Sequence, residues 1–275
     1  MASNRLAVIE KYGDGTCEDS RPSRSRTSSL EFHYTRKHLA PYITPETRIL
    51  EVGCATGYYG MYYADKCRQY VGVDIVPGNI EFFRRKIQAA GLTNVSCQVG
   101  DATRLSDIDD ASFDVVLCLG PVYHLPAAEV DQVFAQCKRV CRPGGIIAFA
   151  YINKIGVYVG GCVHDDWRHI YPNAQTNQLV LRENTDDQHP GLFYYTTPED
   201  METLARQHGL IKVCNLATDS MITMKIVDEM SEERFRIMQP LLDEMMTHES
   251  CTGMGNHALL ICEKADEKRI WSVSG

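Results

Sequence analysis

Residues 48–57 read RILEVGCATG, an apolar run that enters a glycine-bearing turn, and a second apolar run, YVGVD at residues 70–74, closes on a carboxylate. Ile49, Leu50 and Val52 are bulky and β-prone, so the first run reads as a buried strand. Gly53 and Gly57 then let backbone pass close to a ligand, because neither puts a Cβ in the way. Asp74 stands 21 positions beyond Gly53, about where a carboxylate at the tip of the neighbouring strand reaches a ribose diol. The pair reads as a nucleotide-type cofactor site.

A dinucleotide fingerprint, G-x-G-x-x-G, keeps its third and sixth positions small so that a helix N-terminus can take a pyrophosphate. Here those positions hold Ala55 and Tyr58, and Glu51 lies just upstream. An acid there would repel a diphosphate and welcome a cation. S-Adenosylmethionine carries a sulfonium and an ammonium and no phosphate, so it suits this loop better than NAD does. At these residues the chain resembles the class I S-adenosylmethionine-dependent methyltransferases, whose first motif is an E/D-x-G-x-G-x-G strand and turn. Ala55 stands where one of those glycines would be. Alone, the segment is also explained by an ordinary strand, turn and helix with two glycines.

Three further segments extend the pattern. VSCQVGDATRL (95–105), FDVVLCLGPVYHL (113–125) and CRPGGIIAFAYI (141–152) each carry an apolar strand-like run. Strands separated by helix-length segments indicate a parallel sheet with right-handed crossovers. The expected fold is therefore α/β: a Rossmann-like, doubly wound, seven-stranded sheet, mostly parallel, with an antiparallel last strand and lid elements. The resemblance implies that Asp101 bonds the adenine amino group and that backbone near Ala102 reads the ring edge. It also implies that Cys54, Thr56, Ile75, Leu119 and Gly120 join Glu51, Gly53, Ala55, Gly57 and Asp74 around the cofactor.

The chain of 275 residues is long enough for one α/β domain with a well-buried core and an appended lid. Residues 1–45 are expected to be an N-terminal helical lid, 46–152 the cofactor-binding core, 153–196 a substrate-lid insertion, and 197–275 the rest of the sheet with a helical insertion. A helix over 29–40 stops at Pro41 and Pro45, and TTPED starts another, with Thr197 as N-cap, Pro198 at its first position and Gly209 at its end. SLEFHYT, LGPVYHL and HALLIC resemble a bacterial group of uncharacterised class I methyltransferases, in which an E-F-x-x-T segment precedes the sheet and motif IV reads L-G-P-x-Y-H-L. In that group the N-terminal helix folds over the cofactor, which makes Tyr34 and Arg36 candidate lid contacts. A plain amphipathic helix packed on the sheet accounts for Phe32 and Leu39 equally well.

Net charge is −8, which argues against a chain that tracks nucleic-acid backbones. The one basic cluster, RPSRSR at 21–26, reads as a solvated segment. Eleven cysteines, an odd number with no C-x-x-C pair, fall largely in apolar runs where a thiol acts as a small hydrophobe. A reducing compartment, the cytoplasm, is expected, with no membrane span, since no run approaches about 20 apolar residues. HDDWRH (164–169) reads as lid structure and not as a metal site, because histidines five apart do not share a helical face.

The acceptor is expected to be a small molecule, with no nucleic-acid partner, because LGPVYHL lacks the acidic or amide residue, paired prolines and aromatic of DNA amino-methyltransferases. His124 is a candidate general base, its ordinary pKa of about 6.5 lying near working pH, and Tyr123 a lesser candidate for orienting the acceptor. His124 bonding backbone and shaping the pocket is an equal alternative. Trp167, Tyr151 and Tyr158 are candidate walls of an acceptor pocket, and the Met-rich stretch from Met221 to Met246 reads as plastic core. Three rivals remain: an NAD(P)-dependent oxidoreductase on a similar sheet, a non-catalytic S-adenosylmethionine-binding protein, and an aminopropyl transferase, which would need acids near motif IV.

Overall fold

The computed structural model describes residues 4–13, 16–163, 192–220 and 224–266. Its strands are β1 (Arg48–Val52), β2 (Gln69–Asp74), β3 (Val95–Val99), β4 (Phe113–Cys118), β5 (Cys141–Ile152), β6 (Leu210–Ala217) and β7 (His257–Lys264). Helices are α1 (Asn4–Tyr12), α2 (Thr16–Asp19), α3 (Arg26–Leu39), α4 (Tyr58–Tyr63), α5 (Pro77–Ala89), α6 (Ala127–Val140), α7 (Lys154–Val163), α8 (Pro198–Gln207), α9 (Met224–Glu229) and α10 (Glu232–Met245). The seven strands form one sheet in the order β3-β2-β1-β4-β5-β7-β6. β1 to β5 pair in parallel, and β7 runs antiparallel between β5 and β6. The mixed, mostly parallel α/β architecture read from the sequence is the one observed.

Two consequences fix the site. The strand order reverses between β1 and β4, which opens a crevice at their carboxyl ends. Because β7 is antiparallel, its first residue, His257, pairs with Ile152 at the end of β5 and so reaches the same edge. Alternation along β1 sends Leu50 and Val52 into the cluster under α6 and α8, and Ile49 into the cluster under α4 and α5. Each such fully buried side chain contributes roughly 1.5–3 kcal/mol.

Element ends show where local chemistry overrides pattern. α8 starts as expected: Thr197 Oγ1 accepts from the Asp200 amide at 3.2 Å, with Pro198 next. α4 ends at Tyr63, and just beyond it Asn94 Nδ2 donates to the Ala64 and Cys67 carbonyls at 2.8 and 3.1 Å. β5 begins at Cys141, which pairs with Phe113 across an irregularity that Gly144 bridges at φ 68°. α3 begins at Arg26 because Ser25 Oγ caps the Ser28 amide at 3.0 Å.

Helices α1 and α2 fall within the N-terminal stretch expected to be helical, and α1 buries Val8 while Leu6 is exposed. Two expectations are corrected. The RPSRSR run is not a solvated segment. Arg21 pairs with Glu18 and Glu31 and lies over the Phe32 ring, while Arg26 donates to the Val227 and Met230 carbonyls at 2.6 and 2.9 Å. Tyr151 does not wall a pocket: it is fully buried in the main core and donates to Asn215 Oδ1 at 2.7 Å. HDDWRH, Trp167 and Met221 lie outside the described residues, whereas Met246 is buried beside Leu242 and Val227. Among the described residues no helix is long and apolar enough to cross a membrane.

Candidate functional site

A cavity of about 590 Å³ lies at the carboxyl edge of β1, β2, β4 and β5, roofed by α1, α2 and α3. Its size falls in the roughly 300–1,000 Å³ range of small-ligand pockets. It gathers Glu51, Gly53, Cys54, Ala55, Thr56, Asp74, Ile75, Asp101, Ala102, Leu119, Gly120, Tyr123 and His124. Three expected positions, Gly57, Tyr34 and Arg36, are not in its wall. Gly57 lies one step back, at φ 81°, where a Cβ would meet the Phe83 ring. Tyr34 is turned to the opposite side of α3, buried against α9 and α10, with its hydroxyl donating to Asp243 at 3.1 Å; Arg36 instead lies over the Tyr62 ring. Lid contacts from α3 come from Glu31, Phe32 and Thr35, the other side of the helix.

On one side the walls are those of the glycine turn. Gly53 takes φ 79° and packs on the Pro121 ring, so no side chain fits there. Asp74 is buried, and both oxygens are aimed by backbone: Oδ2 accepts from the Ala55 amide and Oδ1 from the Val76 amide, each at 2.8 Å. Burial raises its pKa, against the lowering effect of those amides. Glu51 is buried and hydrogen-bonded by the Tyr70 hydroxyl. Burial first, with Asp74 adding, pushes its carboxyl up to about 8 against the Tyr70 hydrogen bond. It is therefore a neutral acid at neutral pH, not the standing negative charge that its position in the sequence implies. Asp101 is already engaged: Arg5 Nε donates to Oδ2 at 2.6 Å, and Thr103 donates to Oδ1 from its amide and hydroxyl.

The other side is apolar, with Ile152, Val157, Leu125, Phe193 and Tyr195. His124 Nδ1 donates to the Leu192 carbonyl at 2.9 Å, and its ring packs among Tyr12, Tyr123 and Phe193. Burial lowers its pKa, so the ring is neutral. Tyr123 donates to the Leu119 carbonyl at 3.1 Å, and burial raises its pKa, so it keeps its proton.

A charged cluster lies between these sides, and sequence reasoning missed it. Asp219 Oδ2 accepts from His257 Nδ1 at 2.6 Å, while Asp219 Oδ1 accepts from the Asn256 and His257 amides at 2.7 and 3.0 Å. Glu31 approaches the same nitrogen at 3.8 Å and is paired with Arg21, which also holds Glu18 at 3.2 Å. Burial and the Arg21 and His257 charges oppose each other at Glu31, and the charges win, lowering its pKa. Local signals for the cluster exist. Glu31 and Thr35 are the fixed letters of E-F-x-x-T and share one helical face; His257 opens a strand expected to be antiparallel, which puts its first residue at the carboxyl edge.

Residues 49–145 match the family model described as a methyltransferase domain. The chain is 33% identical over 141 residues to a phthiotriol/phenolphthiotriol dimycocerosates methyltransferase of Mycobacterium leprae, covering 50% of this chain and 47% of that protein. It is 30% identical over 107 residues to a ubiquinone biosynthesis O-methyltransferase of Idiomarina loihiensis, covering 39% of this chain and 43% of that one. The chain thus matches about half the length of these curated relatives. Among solved structures, the cyclase SpnF superposes with a TM-score of 0.62 at 16% identity, over 96% of each chain, a likeness of fold.

Proposed function

We propose that this chain is an S-adenosylmethionine-dependent methyltransferase that transfers a methyl group to a small-molecule acceptor. The observation that carries the reading is Asp74, a carboxylate held by two backbone amides at the rim of a glycine turn whose other acid is Glu51. A ribose diol donates to such a carboxylate, which would repel a diphosphate at the same rim. The cavity residues fit the cofactor: Glu51 faces the place a cationic amino-acid tail would take, and an arriving cation favours loss of the Glu51 proton. When bound, the cofactor supplies a methyl group on a sulfonium, already electrophilic. The chain's own part is to hold the acceptor in line with that methyl group and keep water out.

On this reading α1 closes the adenosyl end through Arg5, which ties Asp101 to Glu129 at 2.6 and 2.7 Å. His124 and Tyr123, tied to carbonyls and packed on rings, shape the boundary between donor and acceptor. The relatives named as methyltransferases, one of them an O-methyltransferase, support methyl transfer to a small molecule. A cytoplasmic setting goes with it, nine of the cysteines being free thiols. Isothermal titration with S-adenosylhomocysteine and with NAD decides the cofactor: binding of the first and not the second is expected, and the reverse sinks the reading.

A further inference from the structure

The charged cluster has no part in holding the cofactor as assigned above, yet Glu18, Arg21, Glu31 and His257 line the same cavity, with Asp219 behind them. Arg21, Glu31, Asp219 and His257 come from four separate segments: the turn after α2, helix α3, the loop after β6 and the start of β7. Burying five ionisable groups together, Glu18 included, costs folding energy unless each is paired. Here each is. Asp219 spends one oxygen on the amides of residues 256 and 257 and the other on the imidazole. A carboxylate can only accept, so the proton of a neutral His257 sits on Nδ1 and the basic lone pair is on Nε2, with the Asn256 side-chain amide nitrogen alongside at 3.4 Å.

We propose that His257, oriented by Asp219, takes the proton of a neutral hydroxyl acceptor, so that the atom methylated is an alcohol or phenol oxygen. The proposal rests on the methyltransferase reading. The acceptor O–H gives its proton to His257 Nε2, and the oxygen lone pair forms the new O–C bond. The S–C bond breaks with its electron pair going to sulfur, leaving a neutral thioether and a methyl ether. His257 then holds an imidazolium beside Asp219 and Glu31, and passes the proton to water as product leaves.

Three observations favour this acceptor over others. Amines and thiols attack without a positioned base, whereas a hydroxyl is a weak nucleophile until its proton is taken. Glu31 and Asp219 both face His257 Nδ1 and stabilise the imidazolium that proton transfer leaves there, which suits an acceptor that arrives with a proton to give. One side of the cavity, with Ile152, Val157, Leu125, Phe193 and Tyr195, is apolar, which suits a hydroxyl on a hydrocarbon or aromatic body. His124 is the poorer base, because its ring is anchored on the Leu192 carbonyl and burial disfavours an imidazolium there. Burial alone would lower the His257 pKa, but Glu31 and Asp219 together outweigh burial and the Arg21 charge and raise it.

Para-nitrophenol, whose ionised form absorbs in the visible, reports proton transfer without turnover. With S-adenosylhomocysteine bound to the full chain, below the pH at which the free phenol ionises, a phenolate band is expected on adding protein. His257→Gln, which keeps a donor toward Asp219, should abolish it. Asp219→Asn and Glu31→Gln should shift the apparent ionisation so that more alkaline conditions are needed, and should move the acid limb of any methylation rate profile to lower pH. No band in the wild type, a band that survives His257→Gln, or one lost in His124→Gln instead overturns the proposal. S-Adenosylhomocysteine binding to each variant by isothermal titration is the control: if it fails in the wild type, the methyltransferase reading has failed, and if it holds, only the role of His257 is at stake.

Discussion

The two sides of the cavity are made in opposite ways. The side proposed to hold the cofactor, the cofactor side, is one continuous stretch, strand, turn, helix and strand, in which Glu51, Gly53, Ala55 and Asp74 meet because β1 and β2 are hydrogen-bonded neighbours. The side proposed to take the acceptor is a convergence: Arg21, Glu31, His124 and His257, with Asp219 behind His257, meet only because the N-terminal helices fold back over the sheet and β7 runs against its neighbours. In the first, backbone geometry sets the shape. In the second, paired charges do. A substitution should therefore damage the first side through strain and the second through protonation.

The largest expected effect lies just behind the cofactor side. Gly57 combines φ 81° with a Cβ position occupied by the fully buried Phe83 ring. Gly57→Ala adds left-handed strain of about 1–2 kcal/mol to overpacking of about 1–3 kcal/mol. A loss of about 3 kcal/mol in urea unfolding is expected, and a loss under about 1 kcal/mol would show that the turn is not set by this contact. Next comes Asp74→Ala, which should weaken S-adenosylhomocysteine binding by about 1–3 kcal/mol, through lost charged hydrogen bonds. Isothermal titration reads it; unchanged affinity removes the ribose assignment, and an equal loss in Asp219→Asn erases the contrast between the two sides.

That contrast also explains what is legible in the sequence. The glycine turn and the terminal Asp74 are legible because their spacing is fixed by a single βαβ unit, and the strands because apolar runs alternate with helix-length segments. Arg21 is not, because an Arg/Ser run looks the same whether it faces water or, as here, three neighbours contributed by α2 and α3. SLEFHYT points to Tyr34 as a cavity residue and passes over Glu31: helical periodicity tells which residues share a face but not which face meets the ligand. Ordinary propensity also does not show what ties α1 down, an ion pair from Arg5 to a residue far along the chain, Asp101.

Glu51 offers a smaller test that separates strain from protonation. With its carboxyl at about 8, against an ordinary value of 4.5, the folded chain keeps a proton there that the unfolded chain has released by neutral pH. That contribution to stability is whole below the unfolded value and is lost as pH rises through about 8. Glu51→Gln keeps the shape without the titration, so its stability relative to wild type should climb from pH 5 to pH 9, by about 1–2 kcal/mol after allowing for the shared Tyr70 hydrogen bond. Thermal unfolding across that range measures it, and a constant difference would mean that Glu51 is ionised throughout.

The smallest effect bears on the position where this turn departs from the all-glycine pattern. Ala55 sits at φ 44°, a left-handed conformation that costs an alanine about 1–2 kcal/mol. Its amide is held there by Asp74, so the strain maintains the carboxylate's orientation. Ala55→Gly removes the strain but frees the unfolded chain by about 0.5–1 kcal/mol, leaving a net gain of about 0.5 kcal/mol, with S-adenosylhomocysteine affinity unchanged. Ala111, at φ 52° and outside the cavity wall, supplies the comparison: Ala111→Gly should gain a similar amount. If Ala55→Gly gains stability but loses affinity while Ala111→Gly gains alone, the alanine is holding the Asp74 carboxylate in place for its ligand, and strain on the cofactor side is part of binding.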